Sequence, residues 1–348
     1  MHPADPLLSV RGLRIAFGPL EAVRGLSFDV WDGEVLALVG ESGAGKSLTA
    51  RALLGMLPRG ATAAGIARLR GEPELIGAGR PAYARLWGRR IALVPQDALS
   101  ALSPVHPVGD QLAAAVRSVQ GLSRREARAR AVAALEQVGI ADAGRRARAY
   151  PHEFSGGMRQ RAVIAMAMIN EPELVVADEP TTALDPGTQR HVLELLTRRR
   201  EETGASLVLV THDLAAVEEH ADRMMVMYAG RAVESGPVSE VFARPRAPYT
   251  AGLLASLPPD VPLPGGGRGG RVAGRRLPAI AGAPPTLAEL PPGCAFAPRC
   301  PLAEPADDDR CRTELPEPQR LGDGRREVAC HRWRELPDRP ADLFLEHV

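Results

Sequence analysis

Residues 35–47 have the sequence Val-Leu-Ala-Leu-Val-Gly-Glu-Ser-Gly-Ala-Gly-Lys-Ser, and the architecture of the chain can be built outward from them. The run from Val35 to Val39 is continuously apolar and is ended by Gly40, which is typical of a parallel strand buried on both faces. A helical pattern follows from Ser47 to Leu57 and is stopped by Pro58. The segment therefore predicts a strand, a glycine-rich loop and a helix in direct succession.

The loop between this strand and this helix matches the pattern Gly-x-x-x-x-Gly-Lys-[Ser/Thr] of a phosphate-binding loop. Its residues are Gly40, Glu41, Ser42, Gly43, Ala44, Gly45, Lys46 and Ser47. The glycines let backbone N–H groups converge on phosphate oxygens, and the start of the following helix adds positive potential. In such a loop the lysine bridges the β- and γ-phosphates and the serine holds Mg²⁺, so we expect the chain to bind ATP with Mg²⁺.

The loop also contains the one lysine of the chain. Arginine supplies the other 42 of the 43 basic residues, an excess that a GC-rich genome explains without any functional cause. A compact ammonium can reach between two phosphates, whereas a planar guanidinium cannot replace it there without clashing. The formal net charge of +1 argues against a nucleic-acid-binding protein held by bulk electrostatics.

Apolar runs elsewhere predict the sheet that carries the loop. Those expected to form antiparallel strands are 7–10, 13–17 and 26–30, and those expected to form buried strands are 91–94, 174–177, 206–210 and 223–227. Helical patterns cover 108–149, with apolar faces formed by Leu112, Val116 and Val119 and by Val132, Leu135 and Val138, and continue over 158–170. Strands that alternate with helices indicate an α/β fold with a parallel sheet.

Two acidic residues end one of these strands. Asp178 and Glu179 directly follow the run Leu174-Val175-Val176-Ala177. Asp178, at the end of the strand, can reach the shell of a Mg²⁺ ion, and Glu179 can polarise the attacking water. Solvated acids are common after strands, but after a phosphate-binding loop the pair predicts ATP hydrolysis.

Five further segments resemble the motifs of the ABC transporter ATPases. Residues 154–161, Phe-Ser-Gly-Gly-Met-Arg-Gln-Arg, resemble the ABC signature. The other four are Gln96 (similar to the Q-loop), 183–185 with Asp185 (the D-loop), His212 (the switch histidine) and Phe17 (the ring that stacks on adenine). Met158 and Pro95 depart from the usual signature and Q-loop residues, and neither change removes a catalytic group.

The resemblance implies a P-loop ABC cassette, with a mixed sheet, an antiparallel β subdomain and an inserted helical subdomain at about 97–165. It implies that Glu179, His212 and Gln96 act in hydrolysis and that Gln96 joins Ser47 and Asp178 around Mg²⁺. It also implies a head-to-tail dimer in which Ser155, Gly156 and Gly157 contact the γ-phosphate held by a second ATPase subunit, identical or a sister. Two transmembrane permease subunits and, indirectly, an extracytoplasmic solute-binding protein would complete the assembly, with the strip 97–108 in the permease groove or, alternatively, in ordinary packing.

Four segments resemble the dipeptide and oligopeptide branch of this family: 150–161, 248–258, 280–285 and 292–301. The resemblance covers roughly residues 7–335 and implies a cassette at 7–240 followed by a C-terminal extension at 241–348. It implies an ATPase that energises peptide import. The alternatives are an importer of nickel or glutathione, a soluble ABC ATPase without a transport role, or a scaffold within an enzyme complex.

The C-terminal extension contains all four cysteines, Cys294, Cys300, Cys311 and Cys330. Free cysteines in a Pro-rich segment with little core predict a metal staple, and four thiolates suit either a [4Fe–4S] cluster or Zn²⁺. The lack of a Cys-x-x-Cys pair weakens the zinc interpretation, and the family resemblance favours the iron–sulfur cluster. Buried thiols that act as small hydrophobes are the remaining alternative, and we expect His331 to be a surface residue.

The expected location follows from what the sequence lacks. No apolar run approaches the ~20 residues that span a bilayer, and the first residues lack the basic and apolar regions of a signal peptide. We therefore expect a peripheral protein at the cytoplasmic face of the cell membrane, bound there through its permease partners.

Overall fold

The computed structural model describes residues 5–182, 184–257, 262–263, 267–268, 280–303, 308–338 and 340–344. Its strands are β1 (Leu8–Phe17), β2 (Leu20–Val30), β3 (Val35–Val39), β4 (Ala61–Leu69), β5 (Ile91–Val94), β6 (Leu174–Asp178), β7 (Ser206–Thr211), β8 (Arg223–Tyr228), β9 (Arg231–Pro237), β10 (Pro262–Leu263), β11 (Gly267–Arg268), β12 (Gln319–Leu321) and β13 (Arg326–Val328).

The α-helices are α1 (Lys46–Leu53), α2 (Arg80–Leu86), α3 (Ala98–Ala101), α4 (Val108–Gln120), α5 (Arg124–Gln137), α6 (Ala143–Arg146), α7 (Gly156–Met168), α8 (Pro186–Thr203), α9 (Leu214–His220), α10 (Val238–Ala243), α11 (Pro248–Ala255) and α12 (Arg310–Thr313). Short 3₁₀ turns lie at Pro151–Glu153, Ala297–Arg299 and Pro340–Phe344. None of the helices in the described ranges combines the length and the apolar character needed to cross a membrane.

The centre of the molecule is a mixed sheet with the strand order β12-β13-β9-β8-β3-β7-β6-β5. The five strands from β8 to β5 run parallel to one another, and β3, β6 and β7 are buried along their whole length. Parallel strands are covered on both faces, which is why their sequences are uninterrupted apolar runs. The predictions of buried strands at 35–39, 91–94, 174–177, 206–210 and 223–227 are confirmed. The loops that follow β3, β5, β6 and β7 meet at one edge of the sheet, where α/β proteins bind ligands.

A second, antiparallel sheet has the order β2-β1-β4. The runs 7–10 and 13–17 belong to a single strand, β1, whose register shifts between Val10 and Leu13 where Gly12 adopts a φ of 58°. The strand β4 was not anticipated, because its burial pattern is mostly exposed and its sequence is rich in Ala and Gly. The antiparallel β subdomain is therefore confirmed with three strands, of which β1 unites two predicted runs and β4 is additional.

The helical segment between β5 and β6 contains α3 to α7. One apolar cluster buries Leu112 and Val116 on α4 together with Leu135 on α5 and Val138 at the end of α5, as their spacing predicted. The helix that follows the phosphate-binding loop is shorter than expected: α1 ends at Leu53, ahead of a turn at Gly55 with a φ of 65°. The prediction that it continues to Leu57 was wrong, since the glycine ends it before Pro58 is reached.

The C-terminal extension is joined to the central sheet. The hairpin of β12 and β13 pairs antiparallel with β9, with Val328 opposite Glu234 and Glu327 opposite Ser235. The Glu234 carboxylate is completely buried and accepts hydrogen bonds from Arg326 and from the backbone N–H groups of Arg246 and Ala247. The boundary expected at 240/241 lies inside α10 and stays a prediction.

Candidate functional site

At two positions of the phosphate-binding loop, both the backbone conformation and the lack of space require glycine. Gly40 has a φ of 151°, and a Cβ there would lie 2.1 Å from the carbonyl oxygen of Met227. Gly45, directly before α1, has a φ of 96°, and its Cβ would meet the carbonyl oxygen of Ala22 at 2.9 Å. Such φ values are strained for residues with a side chain. The loop is therefore packed tightly between β2 and the end of β8.

Lys46 is the first residue of α1 and is only 4% exposed. Its Nζ donates to the carbonyl oxygens of Gly40, at 2.8 Å, and Glu41, at 3.1 Å. Burial lowers the pKa of Lys46, while the charges of Glu179, Asp178 and Glu41 act in the opposite direction. An ammonium has three N–H donors, so this geometry leaves one of them for an anion at the loop.

The acidic pair lies beside the start of α1. Asp178, the last residue of β6, is 3% exposed and accepts a hydrogen bond of 2.6 Å from the Ser47 hydroxyl. Burial raises the pKa of Asp178, and the hydrogen bond from Ser47 partly offsets that effect. Two oxygen ligands side by side, one of them a carboxylate, suit Mg²⁺, which takes the rest of its shell from phosphate and water.

Glu179 is the meeting point of the predicted catalytic residues. Its carboxylate Oε2 accepts hydrogen bonds from Gln96 Nε2 at 3.2 Å and from Thr182 Oγ1 at 2.9 Å, and it lies 3.6 Å from His212 Nδ1. Glu179 itself has a φ of 47°, and its N–H donates to the carbonyl of Val210 on β7. The loops after β5, β6 and β7 thus bring together Gln96, Glu179 and His212, as the sheet topology requires.

Thr182 was not singled out from the sequence. Its hydroxyl lies one turn beyond Glu179 and holds the carboxylate that Gln96 also contacts. A hydroxyl three residues after an acid in a turn is a common local hydrogen-bonding partner. The three-residue spacing from Glu179 could therefore have identified Thr182 from the sequence.

The signature segment begins α7 and faces solvent. The Ser155 hydroxyl caps this helix by accepting from the N–H of Met158 at 3.3 Å, and Ser155 and Gly156 are exposed. Gly157 packs on α8, where a Cβ would meet Thr188 Cγ2 at 2.7 Å. The first turn of α7 carries no acidic residue, so its N-terminus has the polarity that attracts an anion.

The two remaining residues predicted to contact the nucleotide, Asp185 and Phe17, lie at the start of α8 and at the end of β1. Asp185 caps α8, accepting from the Thr188 N–H at 3.0 Å and its hydroxyl at 2.6 Å, and these bonds lower the pKa of Asp185. Ala183 of the same predicted loop lies outside the described residues. Phe17 is half-buried at the hairpin end of β1, and the following strand β2 carries the Ala22 carbonyl that packs on Gly45.

The four cysteines line one small cavity of the C-terminal extension, together with Phe296 and His331. All four are free thiols, and burial raises the pKa of Cys294 and raises those of Cys300 and Cys330 to about 12. His331 Nε2 is hydrogen-bonded to the Glu314 carbonyl oxygen at 3.0 Å. Within the described ranges, no group of three or more His, Cys, Asp or Glu side chains is arranged closely enough to hold a metal ion.

Comparisons with known proteins show which families the chain resembles. The family described as "ABC transporter" matches residues 23–182, and the family described as "Oligopeptide/dipeptide transporter, C-terminal region" matches residues 233–306. The chain is 49% identical over 318 residues to the oligopeptide transport ATP-binding protein OppD of Mycobacterium tuberculosis, which covers 90% of this chain but only 50% of that protein. The chain thus spans about half the length of this relative.

Two other similarities cover nearly the whole of the matched protein. A protein of Brucella melitensis described as a peptide import ATP-binding protein is 45% identical over 342 residues, which are 95% of this chain and 98% of that protein. Among solved structures, cbiO1 of Clostridium perfringens, part of the ABC transporter complex cbiONQ, matches with a TM-score of 0.59 and 30% identity, covering 69% of this chain and 91% of that chain.

Proposed function

Because the chain belongs to the ABC transporter family, as an ATP-binding subunit of the dipeptide and oligopeptide branch, we propose that it hydrolyses ATP to energise the import of peptides or a related small solute. The observation that carries the proposal is the convergence of three units at one edge of the sheet: the Lys46 loop, the hydrogen-bonded Ser47–Asp178 pair, and Glu179 with its hydrogen bond from Gln96 and with His212 at 3.6 Å.

The phosphates of ATP would lie against the loop and the start of α1. Lys46 donates its third N–H to the β- and γ-phosphates, and the aromatic ring of Phe17 stacks on the adenine. Ser47, Asp178 and Gln96 would hold Mg²⁺, which neutralises charge on the phosphates. Ser47 and Asp178 already lie in contact at 2.6 Å, which fits a cation that they share.

Hydrolysis would take place at Glu179. The carboxylate accepts a proton from the attacking water as the water oxygen bonds to the γ-phosphorus and the bond from that phosphorus to ADP breaks. Gln96 and Thr182 hold the carboxylate in place, and His212, which is 3.6 Å away and largely exposed, would contact the γ-phosphate.

A second ATPase subunit would complete the site. Ser155, Gly156 and Gly157 would donate hydrogen bonds to the γ-phosphate held by that subunit, and Asp185 would lie at the contact. The exposure of Ser155 and Gly156 at the N-terminus of a 13-residue helix supports this role, because free N–H groups and the helix dipole both favour an anion there.

The membrane partners would be two transmembrane permease subunits, with an extracytoplasmic solute-binding protein acting through them. We assign the permease contact to the segment 97–108, where Leu99 is 55% exposed and Val105 is 71% exposed. Leu99 lines a pocket of about 360 Å³ together with Gln96, Gly156 and Leu184. An apolar helix of the permease in such a groove would place the chain peripherally on the cytoplasmic face of the membrane.

We test the proposal by co-purifying the full chain with its permeases in detergent and measuring ATP hydrolysis with the solute-binding protein present. Peptide-loaded binding protein should stimulate hydrolysis, and binding protein loaded with nickel or glutathione should not. If only binding protein loaded with nickel or glutathione stimulated hydrolysis, that compound and not a peptide would be the transported solute. Failure to retain any permease would contradict the transport role itself.

A [4Fe–4S] cluster is our proposal for the four-cysteine cavity. All four thiols line the same cavity, so the fold gathers them in one place. Four cysteine thiolates are the ligand set of such a cluster, and they also suit zinc.

The cavity assignment is tested by anaerobic purification. We expect a brown protein with about four iron atoms per chain, and Cys330→Ser should lower the iron content while the exposed variant Arg325→Gln should not. A colourless protein that contains zinc would overturn the cluster in favour of Zn²⁺. A metal-free protein that is equally stable would mean that the thiols serve only as small apolar groups.

A further inference from the structure

Glu41, the second residue of the phosphate-binding loop, has all three of its polar groups engaged. Its N–H donates to the Tyr249 hydroxyl at 2.9 Å, and its carbonyl accepts from Lys46 at 3.1 Å. Its carboxylate accepts two hydrogen bonds from the Arg299 guanidinium, at 2.8 Å and 3.1 Å. Tyr249 and Arg299 both belong to the C-terminal extension, so that extension contacts the phosphate-binding loop directly.

Arg299 is itself held rigidly. Its side chain is only 7% exposed, its Nε donates to the Ala281 carbonyl at 2.9 Å, and one amino group donates to the Tyr228 hydroxyl at 3.2 Å. The guanidinium lies 5.8 Å from the ring centre of Tyr228 and 5.9 Å from that of Phe296. A planar, bidentate pair with a fixed fork is the strongest and most directional arrangement available to these two charges.

The same aromatic cluster supports the base of the loop. The rings of Tyr228, Tyr249 and Phe296 pack with centre-to-centre distances of 4.6 to 5.3 Å. Tyr228 ends β8 and directly follows Met227, whose carbonyl is the group that a Cβ on Gly40 would strike. One continuous set of contacts therefore runs from the cysteine-containing turn of the extension to the first two residues of the loop.

We infer that Arg299 is a positioning residue of the nucleotide site. By pairing with the Glu41 carboxylate, it fixes the phosphate-binding loop and neutralises the negative charge of that carboxylate. The inference rests on the proposed ATP binding. A carboxylate in a loop that receives a triphosphate repels it, and a guanidinium held against that carboxylate removes the repulsion. The pair also reduces the conformational freedom of a glycine-rich loop before phosphate arrives.

A positioning role predicts that the loss of Arg299 affects ATP binding and the rate of hydrolysis unequally. Asp178 and Glu179 are positioned by contacts that include neither Arg299 nor Glu41, whereas Lys46 also donates to the Glu41 carbonyl oxygen. Loss of Arg299 should therefore weaken ATP binding and raise KM, and it should leave kcat almost unchanged. A merely structural role of Arg299 would lower the stability of the chain and change KM and kcat together.

The test is a double-mutant cycle on the full chain, titrated with Mg-ATP in a calorimeter. Arg299→Gln should weaken ATP binding about tenfold, the size expected when one charge-assisted hydrogen-bonded partner is lost. Glu41→Gln combined with Arg299→Gln should bind more tightly than Arg299→Gln alone, to within roughly threefold of the unchanged chain, because the unpaired carboxylate is gone. Arg299→Lys, which keeps the charge, should lie between the two.

The matched control is Arg325→Gln, the same substitution in an exposed pair with Asp323 on the β12–β13 hairpin. It should bind ATP as the unchanged chain does. Normal ATP binding by Arg299→Gln, or a double variant as weak as Arg299→Gln, would overturn the inference. If the unchanged chain and Arg325→Gln both fail to bind ATP, the proposed function fails instead.

Thermal unfolding without nucleotide accompanies each titration. Should Arg299→Gln fail to fold, Arg299→Lys takes its place in the cycle with an expected loss of roughly threefold. Glu41→Gln should then abolish the difference between arginine and lysine at position 299. Persistence of that difference would show that residue 299 does not act through Glu41, and the inference would be wrong.

Discussion

The phosphate-binding edge of the sheet and the C-terminal extension are held together by different means. At the sheet edge, parallel strands end side by side, so that Asp178 at the end of β6 lies near Gln96 and His212 from the loops after β5 and β7. In the extension, regular structure is sparse, and turns, a buried ion pair and long-range side-chain contacts fix the chain. Local sequence patterns therefore describe the first region well and the second poorly, although Arg299 joins the two.

The largest expected effect breaks the phosphate-binding edge alone. Lys46→Ala should weaken Mg-ATP binding by about a hundredfold or more, since it removes charge-assisted contacts to two phosphates. Lys46→Arg should fail as well, because the planar guanidinium does not fit where a compact ammonium is buried. Calorimetric titration measures both, and normal ATP affinity in Lys46→Arg would contradict the assigned geometry.

A second substitution breaks the attachment of the extension. Arg326→Ala should lower the free energy of unfolding by about 3 kcal/mol or more, because it leaves the fully buried Glu234 carboxylate without its partner. Urea-induced unfolding measures the change. Mg-ATP affinity, measured on the folded fraction, should fall much less than in Lys46→Ala.

The matched comparison is Arg320→Ala on the same hairpin. Arg320 is 77% exposed in its pair with Glu327, and exposed pairs contribute at most about 1 kcal/mol. Equal losses of stability in the Arg320 and Arg326 variants would mean that the buried pair does not hold the extension to the sheet.

The smallest expected effect is an increase in the free energy of unfolding, and it concerns Asp178. Burial raises the pKa of Asp178 above its unfolded-state value, so this carboxyl favours folding at low pH, and that contribution is lost as pH rises through the folded-state pKa. At pH 7 the buried charge therefore costs stability, and Asp178→Asn should raise the free energy of unfolding by roughly 1 kcal/mol. The gain should shrink as the pH is lowered.

The readout for Asp178→Asn is urea unfolding without nucleotide at several pH values, together with ATP hydrolysis. Hydrolysis should be lost because the amide is a poor ligand for Mg²⁺. A stability gain that grows on acidification would have the wrong sign and would contradict the burial of an ionised Asp178.

The parallel part of the fold could be predicted from the sequence, whereas the sheet edges could not. Strands such as β3 and β7 are buried on both faces, so their sequences are uninterrupted apolar runs that need no partner to be recognised. The strand β4 is mostly exposed, and the β13–β9 pairing joins residues far apart in the chain. No local pattern contains that information.

The candidate site divides in the same way. The glycines, the lysine and the acidic residues of the nucleotide site stand at fixed spacings, because the backbone geometry of the loop and the strand ends requires those spacings. Their common location at one edge of the sheet could therefore be predicted from the sequence. Thr182 needed only its local spacing from Glu179 to be found. The Glu41–Arg299 pair joins residues 258 positions apart, and only the folded chain brings them together.

The role of Glu179 as the group that accepts the proton of water is tested by ATP turnover of Glu179→Gln, beside the unchanged chain, each with its partner cassette. We expect the variant to bind Mg-ATP, to remain dimeric by light scattering and to hydrolyse ATP at least about a hundredfold more slowly. Hydrolysis by Glu179→Gln at the rate of the unchanged chain would show that Glu179 does not accept that proton.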